Sequence, residues 1–235
     1  LAGQPVWAKS GQKTRYSKLR RPLLTVALLL SSSSLAAAEF QFSAYGGWQT
    51  APHSLVEITG IGAESFTAGW QGRSFQTPPY WGLRGTYWFD RWAPQWGVSI
   101  DFTHAKVYAD PETFANDIPD WSRFEFSDGI NILTVNAMRR FQRWNGFEPY
   151  LGAGVGLSIP HVEVTRPEGT TFNYQVGGAA FQAQIGANYY FNDWLSVFGE
   201  YQFNYAMNDL TLSEGATLKT NIITNAVVGG VSVHF

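Results

Sequence analysis

From residue 39 onward the chain alternates apolar and polar positions with a period of two, one segment after another, which is the signature of β-strands with two unlike faces. The cleanest segment covers residues 150–159. Leu151, Ala153, Val155, Leu157 and Ile159 share one face, with Tyr150, Gly152, Gly154, Gly156 and Ser158 on the other. Residues 40–49 put Phe40, Phe42, Ala44 and Trp48 opposite Gln41, Ser43, Tyr45 and Gln49. The same alternation places Trp81, Leu83, Tyr87 and Phe89 against Arg84 and Thr86, and Trp96, Val98, Ile100 and Phe102 against Ser99, Asp101 and Thr103. It recurs over 181–191, over 195–205 and over the last fifteen residues, where Val227, Gly229, Val231 and Val233 alternate with Gly230, Ser232 and His234. Residues 124–138 are less regular. Ile130 and Ile132 fall in one phase and Leu133, Val135 and Ala137 in the other, which predicts one strand repaired by a bulge near Leu133.

These segments make eight strands joined alternately by short turns (90–95, 139–146, 192–194) and long connections (50–79, 109–123, 160–178, 208–218). An even number of strands, apolar on one face and polar on the other, predicts an all-β fold: an eight-stranded antiparallel transmembrane β-barrel. Closure removes the sheet edges that hydrocarbon would leave unpaired. Aromatic residues sort by depth. Phe89, Trp92, Trp96, Phe141, Trp144, Phe147, Tyr189, Phe191, Trp194 and Phe235 gather at the short turns, and Trp48, Tyr80, Trp81, Phe102, Phe203 and Tyr205 near the long connections. These are the two interfacial girdles of such a barrel. A barrel of this size is filled by its own side chains. Arg84, Asp101, Asn131, Gln182, Gln184, Glu200, Gln202 and Asn204 are the expected filling, and they argue against a diffusion pore. The four acidic residues of 109–123 mark that connection as a solvated loop.

The N-terminal part has a different pattern. Lys13, Arg15, Lys18, Arg20 and Arg21 precede an apolar run over 22–30, four serines and Leu35-Ala36-Ala37-Ala38, the expected layout of a secretory signal peptide cut after Ala38. Residues 1–38 are therefore set apart from a single barrel domain, 39–235. Ten Lys and Arg then face eighteen Asp and Glu, so nucleic acid is excluded as a partner. The absence of cysteine excludes disulfides and thiolate chemistry. The expected location is the bacterial outer membrane, as a monomer among outer-membrane lipids and lipid A. The aromatic Phe235 ending the last strand is expected to address the chain to the barrel assembly machinery.

Catalytic signatures are sparse. The glycines of 152–156 lie inside a strand and lack the strand-to-helix context of a phosphate loop. His53 beside Ser54 cannot form a nucleophile pair if adjacent residues point to opposite faces. Position is more informative. His53, His104 and His161 all follow odd-numbered strands and so lie at the extracellular end, whereas His234 lies at the other.

The stretches 45–54, 102–110, 125–136, 160–163, 198–202 and 219–225 resemble the lipid A oxidase group of small outer-membrane barrels. The resemblance implies oxidation of the proximal glucosamine of lipid A to 2-aminogluconate by molecular oxygen. It carries over no catalytic residue. Oxygen chemistry in a chain without cysteine or a nucleotide fold is most economically run by a divalent or redox metal ion on imidazole and carboxylate ligands. The candidates are His53, His104, His161 and Glu163, with Glu57 and Asp110 as further ligands. His104 and His161 share the phase of their strands' outward residues, so loops or bulges are expected to turn them inward above the hydrocarbon. A lipid A deacylase or acyltransferase, and a non-catalytic structural or adhesive barrel, remain alternatives.

Overall fold

The computed structural model describes residues 39–90 and 93–235; the expected signal peptide, Arg91 and Trp92 lie outside the described residues. In chain order the strands are β1 (Glu39–Thr50), β2 (Ser54–Thr59), β3 (Glu64–Ala68), β4 (Trp70–Gln71), β5 (Trp81–Trp88), β6 (Trp96–His104), β7 (Val107–Ala109), β8 (Arg123–Phe126), β9 (Ile132–Arg140) and β10 (Phe147–Ser158). β11 (His161–Arg166), β12 (Gly169–Tyr174), β13 (Gly178–Tyr190), β14 (Leu195–Thr211) and β15 (Thr217–His234) follow, and one short helix, α1 (Pro111–Asn116), separates β7 from β8.

Eight strands form the barrel in the order β1-β5-β6-β9-β10-β13-β14-β15, and β15 pairs back onto β1 to close it. Every barrel pairing is antiparallel. The outer wall follows the alternation: Leu83, Ile100, Val135, Val155, Ile185 and Val227 are exposed in a belt, and Trp96, Phe147, Tyr189, Phe191, Trp194 and Phe235 are exposed near the short turns. By the rule for outer-membrane barrels those turns face the periplasm and the long connections face outward.

The lumen is filled in layers. Near the periplasmic end His234 Nδ1 meets Glu39 at 3.0 Å and Nε2 meets Ser196 at 2.8 Å, while Arg140 pairs with Glu39. At mid-height the Arg84 guanidinium donates to Asp101 at 2.5 Å and through two nitrogens to Glu200 at 2.7 Å. Tyr45 and Tyr150 complete the set by donating to Asp101 at 2.6 Å and Glu200 at 2.7 Å. Tyr80 donates to Gln202 at 2.6 Å and is buried inside the barrel, which removes it from the outer girdle.

Above this polar column the long connections do not behave as solvated loops. β2 and β3 form a hairpin that pairs onto the outer end of β15, and β12-β11-β8-β7-β4 form a second sheet of five strands. Together with the upper barrel they enclose an apolar core that includes Val56, Phe66, Trp70, Val107, Ile118, Trp121, Phe124, Phe126, Val162, Leu210 and Ile222. The connection 109–123, expected to be a solvated loop, supplies α1, Ile118 and Trp121 to this cap. Residues 124–138 are two strands of different sheets, with a turn between them, and need no bulge. Ile130 and Ile132 keep the inward phase of Thr134, Asn136 and Met138, and belong to the apolar core that the cap shares with the upper barrel.

Candidate functional site

The site is organised by the turn at 127–131, which lies between the upper ends of β6 and β10. Ile130 N–H donates to Ala105 C=O at 2.7 Å, Ile159 N–H to Asn131 C=O at 2.8 Å, and His161 N–H to Gly129 C=O at 2.8 Å. Gly129 has φ of +107°, and a Cβ there would stand 2.4 Å from His104 Nδ1, so only glycine lets the turn close over this histidine. His104 keeps the outward phase of β6 and is covered from outside by the turn and by Trp81, whose ring stacks on it at 5.9 Å. The expectation that it turns inward fails: burial on the outer wall is achieved by covering the residue.

Asp128, at the tip of the turn, approaches the start of β11. His161 Nδ1 lies 3.1 Å from Glu163 Oε1 and 3.5 Å from Asp128 Oδ2, and one ligand atom from each of the three falls within 4.8 Å of the others. Glu163 also accepts from Ser127 Oγ at 2.5 Å and from Asp128 N–H at 3.3 Å, and its second oxygen takes Arg123 at 2.9 Å. Burial would raise the Glu163 carboxyl, but the hydrogen bonds from Ser127, His161 and the Asp128 N–H hold it below the usual carboxylate range. Burial and the neighbouring Glu163 push Glu125 above that range. The His161 ring packs against Phe172 at 4.5 Å and Tyr174 at 4.4 Å.

Of the sequence candidates, His161 and Glu163 come together, and His104 stands on the groove that Asp128 also lines. His53 is exposed on another part of the cap, near Asp110. Asp110 caps α1, accepting from Thr113 N–H at 2.8 Å and Thr113 Oγ1 at 2.7 Å. Glu57 is exposed on β2, opposite Lys219 of β15. These three do not join His161 and Glu163, since the segment before β2, β2 itself and the start of α1 place them elsewhere in the cap. Asp128 was not anticipated. Its signal was Ser127-Asp128-Gly129, a turn sequence hidden by reading 124–138 as one strand.

A closed eight-stranded barrel with a lipid-facing wall, a filled lumen and a folded outer cap defines a small outer-membrane barrel. The chain belongs to the family described as outer membrane protein beta-barrel domain, whose model matches residues 23–235, and its location is the bacterial outer membrane. Among solved structures it is similar to the outer membrane protein AlkL (14% identity over 87% of this chain and 93% of that one, TM-score 0.49). It is similar to Neisserial surface protein A (16%, 84% and 97%, TM-score 0.45) and to OprG from Pseudomonas aeruginosa (13%, 85% and 97%, TM-score 0.44). No curated protein matches the chain.

Proposed function

We propose that the protein is an outer-membrane enzyme that modifies lipid A, oxidising the proximal glucosamine to 2-aminogluconate with molecular oxygen. The observation that supports this reading most is the grouping of His161, Glu163 and Asp128 at the extracellular end of the barrel. Ligands at about 2.0–2.2 Å from one small divalent ion stand roughly 3–3.5 Å apart. The separations of 3.1 and 3.5 Å about His161 Nδ1 fit that requirement, as does a donor set of one imidazole and two carboxylates. When bound, a redox-competent ion there would supply the electron path from sugar to oxygen. The chain's own residues orient the ligands: Ser127 and Arg123 fix the Glu163 carboxylate, and Phe172 and Tyr174 fix the imidazole plane. In overall balance the C1 hemiacetal loses two electrons and two protons to the lactone, oxygen is reduced to hydrogen peroxide, and water opens the lactone.

Mass spectrometry of lipid A from cells with and without the gene tests this. The expected product gains one oxygen atom, and Glu163→Gln and His161→Ala, inserted at normal levels, lose it together with bound metal. The Arg123 ion pair at 2.9 Å favours the second reading, a non-catalytic barrel in which Glu163 is simply neutralised. Unchanged lipid A in cells holding correctly inserted wild-type protein would establish that reading in place of the first.

A further inference from the structure

On the outer wall, between the ends of β5, β6 and β10, a groove of about 480 Å³ is lined by Pro78, Trp81, Phe102, His104, Asp128, Asn131, Ile159 and Tyr174. Its chemistry can be read from one histidine. Asn131 Nδ2 donates to Ile159 C=O at 3.3 Å, which aims its Oδ1 at His104 Nδ1, 2.9 Å away. An amide oxygen only accepts, so Nδ1 carries the proton and Nε2 presents a lone pair. His104 is 6% exposed, and that Nε2 has no hydrogen-bond partner among the described residues. A buried acceptor left unpaired is costly. His104 is part of the groove wall, and the lower lining, Phe102 and Trp81, continues into the lipid-facing wall.

Charge narrows the ligand. Asp128 is the only charged side chain among the lining residues, so the groove opposes phosphate. It suits a neutral group rich in O–H or N–H donors that is attached to acyl chains. We infer that this groove seats the hydroxyl- and amide-bearing part of an outer-leaflet glycolipid entering sideways from the membrane, one donor bonding His104 Nε2 and the first part of a chain lying on Phe102 and Trp81. The inference rests on the proposed lipid A reading only for the identity of the glycolipid.

The test uses the full barrel in nanodiscs with three probes: lipid A stripped of its phosphates, bisphosphorylated lipid A, and phosphatidylethanolamine, with adducts counted by native mass spectrometry. The dephosphorylated glycolipid is expected to be retained best. His104→Phe, which keeps an aromatic ring on Trp81 and removes the acceptor, should weaken it about tenfold, the size of one neutral hydrogen bond. Met207→Ser, in a different wall groove, should leave it unchanged. On wild-type protein, where no variant has to fold, the ¹⁵N resonance of His104 Nε2 should move on adding the dephosphorylated glycolipid and stay put with phosphatidylethanolamine. Equal retention of phosphatidylethanolamine, full retention by folded His104→Phe, or an unmoved Nε2 resonance would each overturn the proposal. Binding without any oxidised product would remove the oxidase reading and leave the groove standing.

Discussion

Arg84 is buried at mid-lumen with two carboxylates, Asp101 and Glu200, and both tyrosines that donate to them. Removing one partner of such a cluster leaves unpaired charge inside a low-dielectric column, and costs roughly 3–5 kcal/mol. Arg84→Met should therefore destabilise the barrel by about that amount, read as a lower urea midpoint of the heat-modifiable form in detergent. Asp110 shows a different use of charge. Burial would raise its carboxyl, but the Thr113 N–H and hydroxyl, with His53 nearby, hold it below the ordinary aspartate value. A depressed folded value means that its contribution is present above the unfolded pKa and is lost as pH falls through the lower folded one. Capping of α1 should thus survive acidification through the ordinary aspartate range and fail only below it. Asp110→Ala should cost about 1 kcal/mol of local stability at neutral pH, measured by amide exchange of residues 112–116.

At the scale of elements, the barrel strands were legible because each has one face in lipid and one in a polar lumen, as Leu151 to Ile159 against Tyr150 to Ser158 shows. The cap was not, since its short strands pack against a dry core and each other, and no single period distinguishes them from loops. Ile130 and Ile132 carry the signal, but their phase, opposite to that of Leu133, Val135 and Ala137, reads equally as a bulge near Leu133 within one strand. The candidate site was half legible for the same reason: the spacing of His161 and Glu163 puts both on one face of β11, whereas Asp128 arrives by a turn between sheets. A folded cap changes what protease should do to intact cells. The wild-type cap should resist cleavage over 109–123. Trp121→Ala, which removes a ring packed on Phe66 and Phe124 and costs about 3–5 kcal/mol, should expose that stretch to cutting while the barrel stays heat-modifiable. Equal resistance of wild type and Trp121→Ala would mean that the apolar core does not hold the cap closed.

For the whole molecule, the polar network of the lumen is followed toward the outer end by the apolar core of the cap. Water could thread a lumen of Gln, Asn, Ser and Thr if gaps opened, but above them lie Ile130, Ile132, Ala180, Ala206, Leu218 and Ile222, which offer no hydrogen-bonding partner. Hydrophobic constrictions of this kind exclude ions by staying dry. The protein in a planar bilayer should therefore show no stable conductance steps. Arg84→Ala, although it empties the middle of the lumen, should remain silent because the cap above is untouched. Adding Ile132→Ser to Arg84→Ala gives the upper lumen a polar foothold beside Thr134, and the double variant should be the first to leak. Steady unitary conductance from wild-type protein would contradict the closed lumen. Steps from Arg84→Ala alone would show that the polar column provides the seal and that the dry cap serves only to build the outer surface on which Asp128, His161 and His104 are arranged.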